Sequence, residues 1–320
     1  MKLEDVPGIG PKTAEKLREH GVEDVEDLIA SQPAEIAKIL GVSAFKAKEL
    51  IASAKELLMS QRVLVQTAEE LEEFIAKNVR RFSTGSKALD EILGGGVPSR
   101  AITTFSGPYS TGKTQLCLQL VANAIDQGLY AAWIETEPGT FSPKRLKEIA
   151  EKRGLSYDPK RLLVVPAERI ASPAQQLLAY EAVWKRVRDE NLDLGVFVVD
   201  SFSAKIRAHY TGRETLSARS QETARHIGLL ELIAASENAA VVLTAQVMGI
   251  PDMSAQLEAR VRFGAPMRTY GGEFFLHSSQ YIVFLTQVAS DVWEAYLVDA
   301  PDLPKRRARF RITEKGIEDA

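Results

Sequence analysis

The sequence predicts an α/β fold: a core with a mostly parallel central sheet and crossover helices, preceded by a small all-α domain. A glycine-rich run at residues 107–114 lies between a β-branched segment and a segment with helical spacing. From Phe82 onward, short apolar runs alternate with helical stretches, as in a parallel sheet whose strands are joined by helices. Residues 1–60 are helical in pattern and short of β-branched runs. The expected division is 1–60 as a helical domain, 61–80 as a linker and 81–320 as the core.

Gly107, Pro108, Tyr109, Ser110, Thr111, Gly112, Lys113 and Thr114 fit G-x-x-x-x-G-K-[ST], the phosphate-binding P-loop. Ala101-Ile102-Thr103-Thr104-Phe105 before it reads as a strand, and Leu116, Leu120, Val121, Ala124 and Ile125 after it recur at helical spacing. Strand, glycine turn and helix start together aim backbone N–H groups and the positive end of a helix dipole at one point, which attracts phosphate. Lys113 is expected to reach the β- and γ-phosphates and the Thr114 hydroxyl to hold Mg²⁺.

The remaining core elements follow in order. Residues 130–137 read as a strand ending in two acids, expected beside the P-loop strand. Glu137 is the candidate general base that orients or deprotonates water. Glu135, two residues earlier and on the same side of a strand, is its competitor. A helix is expected around residues 143–153, a short strand at 161–165 and a long helix at 175–190. Residues 195–200 form an apolar run, as a strand covered on both faces requires, and Asp200 at its end is the candidate metal carboxylate. A helix at 220–238 leads to a strand at 239–246, where Gln246 is placed to sense the γ-phosphate. Strands near 280–287, 293–298 and 308–313 close the chain.

Two stretches combine arginine with aromatic residues, the mixture that suits unpaired nucleic acid. One is a loop at 207–213 with Arg207, Tyr210 and Arg213. The other, at 247–272, is long and without periodicity and carries Arg260, Arg262 and Arg268 with Phe263 and Tyr270. In the leading domain, Val6-Pro7-Gly8-Ile9-Gly10-Pro11-Lys12 reads as a tight turn before a helix. Gly8, Gly10 and Lys12 would seat a nucleic-acid phosphate there, unless the domain serves protein contacts alone. Lys305, Arg306, Arg307, Arg309 and Arg311 form a basic run. On a strand, 305, 307, 309 and 311 share one face, which is either a site for an anionic partner or a charged edge that discourages aggregation.

The formal net charge of −3 over 320 residues excludes a global pull toward nucleic acid, so such binding must come from local patches. Cys117 is the single cysteine, so no intrachain disulfide forms, and it is expected to be a small buried residue. The apolar runs are far shorter than a membrane span and no apolar leader stands at the start, so the expected location is cytoplasmic.

Taken together, these motifs resemble recombinases of the RecA/RadA type, in the archaeal and eukaryotic branch. The resemblance spans nearly the whole chain. It rests on the helix-hairpin-helix run, Thr84-Gly85-Ser86-Lys87, Leu93-Gly94-Gly95-Gly96, Gly112-Lys113-Thr114-Gln115, Ile134-Glu135-Thr136-Glu137 and Val199-Asp200-Ser201. Further along it includes residues 207–213, Gln246-Val247, His277-Ser278, Asp299-Ala300-Pro301 and Ile312-Thr313-Glu314-Lys315-Gly316-Ile317.

The resemblance implies a RecA-like ATPase core that binds ATP and Mg²⁺ between neighbouring subunits. It implies filaments or rings on single-stranded DNA, pairing with double-stranded DNA and strand exchange. Gln115 joins the nucleotide site, and residues 207–219, with Arg219, and 248–272 become two DNA-binding loops. His277 looks across the interface, and Asp299 and Pro301 belong to a cap over a neighbour's ATP. Val65 and Ala68 fall on the subunit-joining motif, where relatives carry Phe at the first position; the smaller Val loses about 1–2 kcal/mol of apolar burial. The P-loop interior, an inserted Pro138, Ser142 and the basic stretch after Pro301 also depart from relatives. Such a chain is either a divergent main recombinase or an accessory paralogue that assists another recombinase. A RecA-fold kinase or helicase subunit would leave the leading domain unexplained.

Overall fold

In the computed structural model the chain forms two units, Met1–Ala76 and Lys77–Ala320. The structure describes residues 1–62, 66–212, 214–249, 254, 256, 267–269 and 278–320.

The first unit holds helices α1 (Pro11–Arg18), α2 (Val25–Ala30), α3 (Pro33–Leu40) and α4 (Ala44–Arg62). Their starts are encoded locally. Pro11 and Pro33 occupy first helical positions, where a missing N–H costs nothing. The Asp24 carboxylate caps α2 by accepting from Asp27 N at 3.0 Å. Leu3, Val6, Ile9, Leu17, Val25, Leu28, Ile36 and Leu50 close the core of this unit. Gly8 turns at φ +93°, and a Cβ there would sit 3.1 Å from Leu50 Cδ2, so the Val6–Gly10 turn packs on α4. Helix α5 (Ala68–Asn78) carries no buried residue. Ala68 opens this helix; Val65 lies outside the described residues.

In the second unit come β1 (Arg81–Phe82), α6 (Lys87–Ile92), β2 (Val97–Pro98), β3 (Ala101–Ser106), α7 (Lys113–Asp126), β4 (Tyr130–Glu135), α8 (Pro143–Arg153) and β5 (Leu162–Val165). They are followed by α9 (Pro173–Asp189), β6 (Leu194–Asp200), α10 (Ala204–His209), α11 (Leu216–Ser236) and β7 (Ala240–Ala245). The last strands are β8 (Val247–Gly249), β9 (Met267–Thr269), β10 (Tyr281–Ala289), β11 (Val292–Asp299), β12 (Arg307–Thr313) and β13 (Gly316–Asp319).

Among the described residues the main sheet has nine strands in the order β13-β12-β11-β10-β3-β7-β6-β4-β5. Strands β5, β4, β6, β7, β3 and β10 run parallel, and β10 to β13 form an antiparallel meander. Strand β6 is buried at every position. Its Val196 and Val198 enter the core under α7 and α8, while Phe197 and Val199 enter the one under α9, α10 and α11. That alternation explains why the strand is continuously apolar.

The structure departs from the sequence reading in four places. The strand that leads to Glu137 is not beside the P-loop strand, since β7 and β6 stand between β3 and β4. Crossover connections do not preserve chain order across an open sheet. Arg207 lies on α10 rather than on a loop. Within the patternless segment at 247–272, Val247–Gly249 and Met267–Thr269 pair as a two-stranded ribbon, with Met248 opposite Arg268, in strands too short to show a period. The basic strand β12 is interior, between β11 and β13, so the reading of a protective sheet edge does not hold.

Candidate nucleotide-binding site

The loop after β3 is shaped by close backbone packing. A Cβ at Gly107 (φ +159°) would meet the Leu285 carbonyl oxygen of β10 at 2.3 Å, so only glycine allows that approach. Gly112, at φ +88°, is the N-cap of α7 and offers no side-chain oxygen to the first turn. The N–H groups at that helix start are therefore left for a ligand, at the positive end of a 14-residue helix. Thr111 Oγ1 donates to Pro108 O at 2.8 Å and braces the loop. Tyr109 stands at its tip, 92% exposed. On the outer side, Trp293 Nε1 donates to Ser110 O at 3.2 Å.

A cavity of about 330 Å³ opens over this loop. Its walls include residues 109–115, Glu137, Asp200, Thr244 and Gln246. Lys113 Nζ donates to the carbonyls of Gly107 at 2.9 Å and Pro108 at 2.7 Å, so the ammonium is folded onto its own loop. Burial lowers the Lys113 pKa, against the pull of the Asp200 and Glu137 carboxylates. Thr114 Oγ1 donates to Asp200 Oδ2 at 2.8 Å, and Thr244 Oγ1 donates to Asp200 Oδ1. Burial raises the Asp200 pKa above the ordinary carboxylate value even with these two hydroxyls attached. A half-buried ammonium and a buried carboxylate on the walls of one cavity are charges that a polyphosphate and Mg²⁺ would satisfy together.

The two acids of the β4 end part company. Glu135 is buried and accepts from Phe141 N at 3.1 Å and Ala167 N at 3.2 Å, so it is structural. Glu137 lies two residues past the end of β4 and turns into the cavity. It accepts from Ser201 Oγ at 3.2 Å and from Gln246 Nε2 at 3.2 Å. The Gln246 carbonyl in turn accepts from Arg207 NH1 at 3.2 Å. A hydrogen-bonded line thus runs from α10 through the end of β7 to the cavity carboxylate.

Gln115 lines the cavity, but its carbonyl accepts from Arg145 Nε at 2.9 Å, tying it to α8. Asp299 and Pro301 are exposed at and just beyond the end of β11 and do not line the cavity of their own chain. Tyr210 packs against the core under α9 to α11, and Arg219 lies on the first turns of α11. Gly10 caps α1, and Lys12 is exposed on it. Arg213, Arg260, Arg262 and His277 lie outside the described residues; Arg268 is on β9. Ser201, Thr244 and Thr140 also line the cavity, and the sequence reading assigns none of them a role. The first two follow from where they stand, at carboxyl ends of neighbouring parallel strands, which is where ligands of open sheets gather.

With bare helix-start amides, a lysine and a hydroxyl–carboxylate pair meeting at that edge of this strand order, the core is of the RecA-like P-loop class. The wider chain is more specific: residues 75–320 match the Rad51 family, and residues 1–56 match the SAM-like helix-hairpin-helix tandem. The chain belongs to the Rad51 family. It is 35% identical over 324 aligned residues to the DNA repair and recombination protein RadA of Aeropyrum pernix, covering 99% of this chain and 96% of that relative. Among the described residues no helix is long and apolar enough to cross a membrane.

Proposed function

We propose that this protein is an ATP-hydrolysing, DNA-binding recombinase of DNA repair and recombination that assembles with copies of itself on single-stranded DNA. The observation that carries the reading is the Arg207–Gln246–Glu137 line, which joins a helix of the expected DNA-binding region to the carboxylate facing Thr114 and Asp200. The RadA relative supports the assignment to recombination.

In this reading Lys113 leaves the Gly107 and Pro108 carbonyls and binds the terminal phosphates, with the α7 amides on the others. Thr114 and Asp200 hold Mg²⁺, which supplies charge neutralisation to the phosphates. Ser201 and Gln246 hold the Glu137 carboxylate so that it takes the proton of the attacking water as the bond to the terminal phosphorus forms and the bond to the ADP oxygen breaks. Gln246 reports this state to Arg207, and so to DNA. Asp299 and Pro301, outside their own chain's cavity, serve the site of a neighbour together with His277. Turnover then depends on assembly, because each monomer lacks part of its site.

Electron microscopy with single-stranded DNA and a slowly hydrolysed ATP analogue tests this. Helical filaments are expected, and DNA capture independent of ATP would sink the reading. Persistent monomers or small rings would favour the accessory-paralogue reading, to which the small Val65 side chain in the joining segment lends support.

A further inference from the structure

Thr136 stands between the two acids at the end of β4, and it is fully buried. Strands β4 and β6 pair side by side as far as Glu135 opposite Asp200. Backbone pairing then ends with Thr136 N, which donates to Asp200 O at 3.0 Å. The next residue after β6, Ser201, is gripped by a side chain instead. Thr136 Oγ1 accepts from Ser201 N at 2.9 Å and donates to Ser201 O at 2.6 Å. One hydroxyl thus serves both backbone groups of a buried residue whose own Oγ donates to Glu137 Oε1 at 3.2 Å. Further on, Phe202 N donates to Thr244 O at 2.9 Å, and Gln176 Nε2 donates to Phe202 O at 3.1 Å. The segment from Asp200 to Phe202 is therefore held at each residue.

The backbone of Glu137 is restrained from its other side as well. Pro138 confines the residue before it to extended conformations. Thr140 Oγ1 donates to Glu137 O at 3.1 Å and braces the turn. The freedom left to Glu137 is in its side chain, and Ser201 and Gln246 hold the carboxylate at its end.

We propose, on the reading that Glu137 is the general base, that Thr136 is the positioning residue of that base. Its clamp on Ser201 sets the Glu137 carboxylate at a fixed place relative to Asp200. The hydroxyl is the part that matters. Valine has nearly the same shape and fills the same space, but it leaves the Ser201 N–H and C=O without partners in a closed interior. Ser201 then moves to find others, and the Oγ that holds Glu137 moves with it. A misplacement of about 1 Å at a reacting group costs about a hundredfold in rate.

The test measures ATP turnover and ATP affinity of the full chain with single-stranded DNA. Thr136→Val is expected to lower kcat about ten- to a hundredfold and to leave ATP affinity within a few-fold of the parent. Thr136→Ser keeps the hydroxyl and drops the methyl, so its kcat should stay within about threefold of the parent. In a Glu137→Gln background Thr136→Val should add almost nothing, because a residue that acts through the base has no effect once the base is gone. The proposal is overturned if Thr136→Val keeps the parent kcat, if Thr136→Ser falls as far as Thr136→Val, or if the valine loss is undiminished in the Glu137→Gln background. A loss of ATP affinity as large as the loss of kcat makes Thr136 a structural residue and overturns it as well. Parent-level turnover in Glu137→Gln alone removes the base itself, so that single variant separates failure of the catalytic reading from failure of the clamp.

Discussion

Replacing Glu137 by Gln removes a proton acceptor while leaving the shape of the side chain intact. The carboxylate is held by Ser201 Oγ and Gln246 Nε2, both at 3.2 Å. Both bonds fall on Oε1, so a glutamine carbonyl there keeps them, and the new amide gives up only the longer Gln246 Nε2 contact to Oε2 at 3.4 Å, at most one hydrogen bond, on the order of 0.5–1.5 kcal/mol of stability. The catalytic cost is larger. A positioned general base contributes about 10²–10⁴ in rate, or about 2.7–5.4 kcal/mol of barrier. Glu135 cannot take over, because its two oxygens are engaged by Phe141 N and Ala167 N. Phosphate release with single-stranded DNA should therefore fall at least a hundredfold, while equilibrium ATP binding stays within a few-fold of the parent. Turnover at the parent rate would remove Glu137 from the chemistry. An equal loss of nucleotide affinity would make it a binding residue instead.

Lys113→Ala gives up charge-assisted bonds to phosphate worth about 1.5–3 kcal/mol, so ATP affinity should weaken roughly 10- to 100-fold by titration with a fluorescent analogue; unchanged affinity contradicts the role. For Asp200 the sign is opposite to that of a paired surface acid. Burial raises its folded pKa above the ordinary value of 3.8. Between the unfolded and the raised folded value the native state holds more protons, so this group's contribution to stability falls as pH rises through that window. Without nucleotide and metal, Asp200→Asn should be at least as stable as the parent at neutral pH in urea melts, with the gap closing on acidification; a gap that widens on acidification refutes the burial argument. Gly107→Ala should cost about 1–3 kcal/mol, because its Cβ meets backbone rather than a movable side chain. A parent-like melting temperature would show that β10 yields there.

Much of this protein is legible from short-range chemistry. The P-loop, the strand and helix beside it, the apolar β6 run with its terminal Asp200, and the proline and aspartate helix starts of the first unit all depend on neighbours within a few residues. Local sterics and burial on both sheet faces act the same way wherever the chain goes. The meander is harder: the sequence pattern predicts no strand at β13 and leaves β12 open as a possible edge, because strand pairing at the end of a sheet depends on which partner arrives.

What only tertiary structure decided is the separation of Glu135 from Glu137 and the fate of the arginines. On sequence, two acids two residues apart share a side of one strand. In the fold the strand stops at Glu135, which is claimed by backbone amides, and the chain then turns Glu137 toward residues from β6 and β7, strands that follow it by more than fifty residues. Likewise the joining of Arg207 to Gln246, and of Glu294 to Arg307 and Arg309, is set by sheet order and register. Spacing along a chain states which residues can share a face. It is the packing of distant strands that determines which groups stand within hydrogen-bond reach, since that reach is a few ångströms of space and has no counterpart in sequence distance.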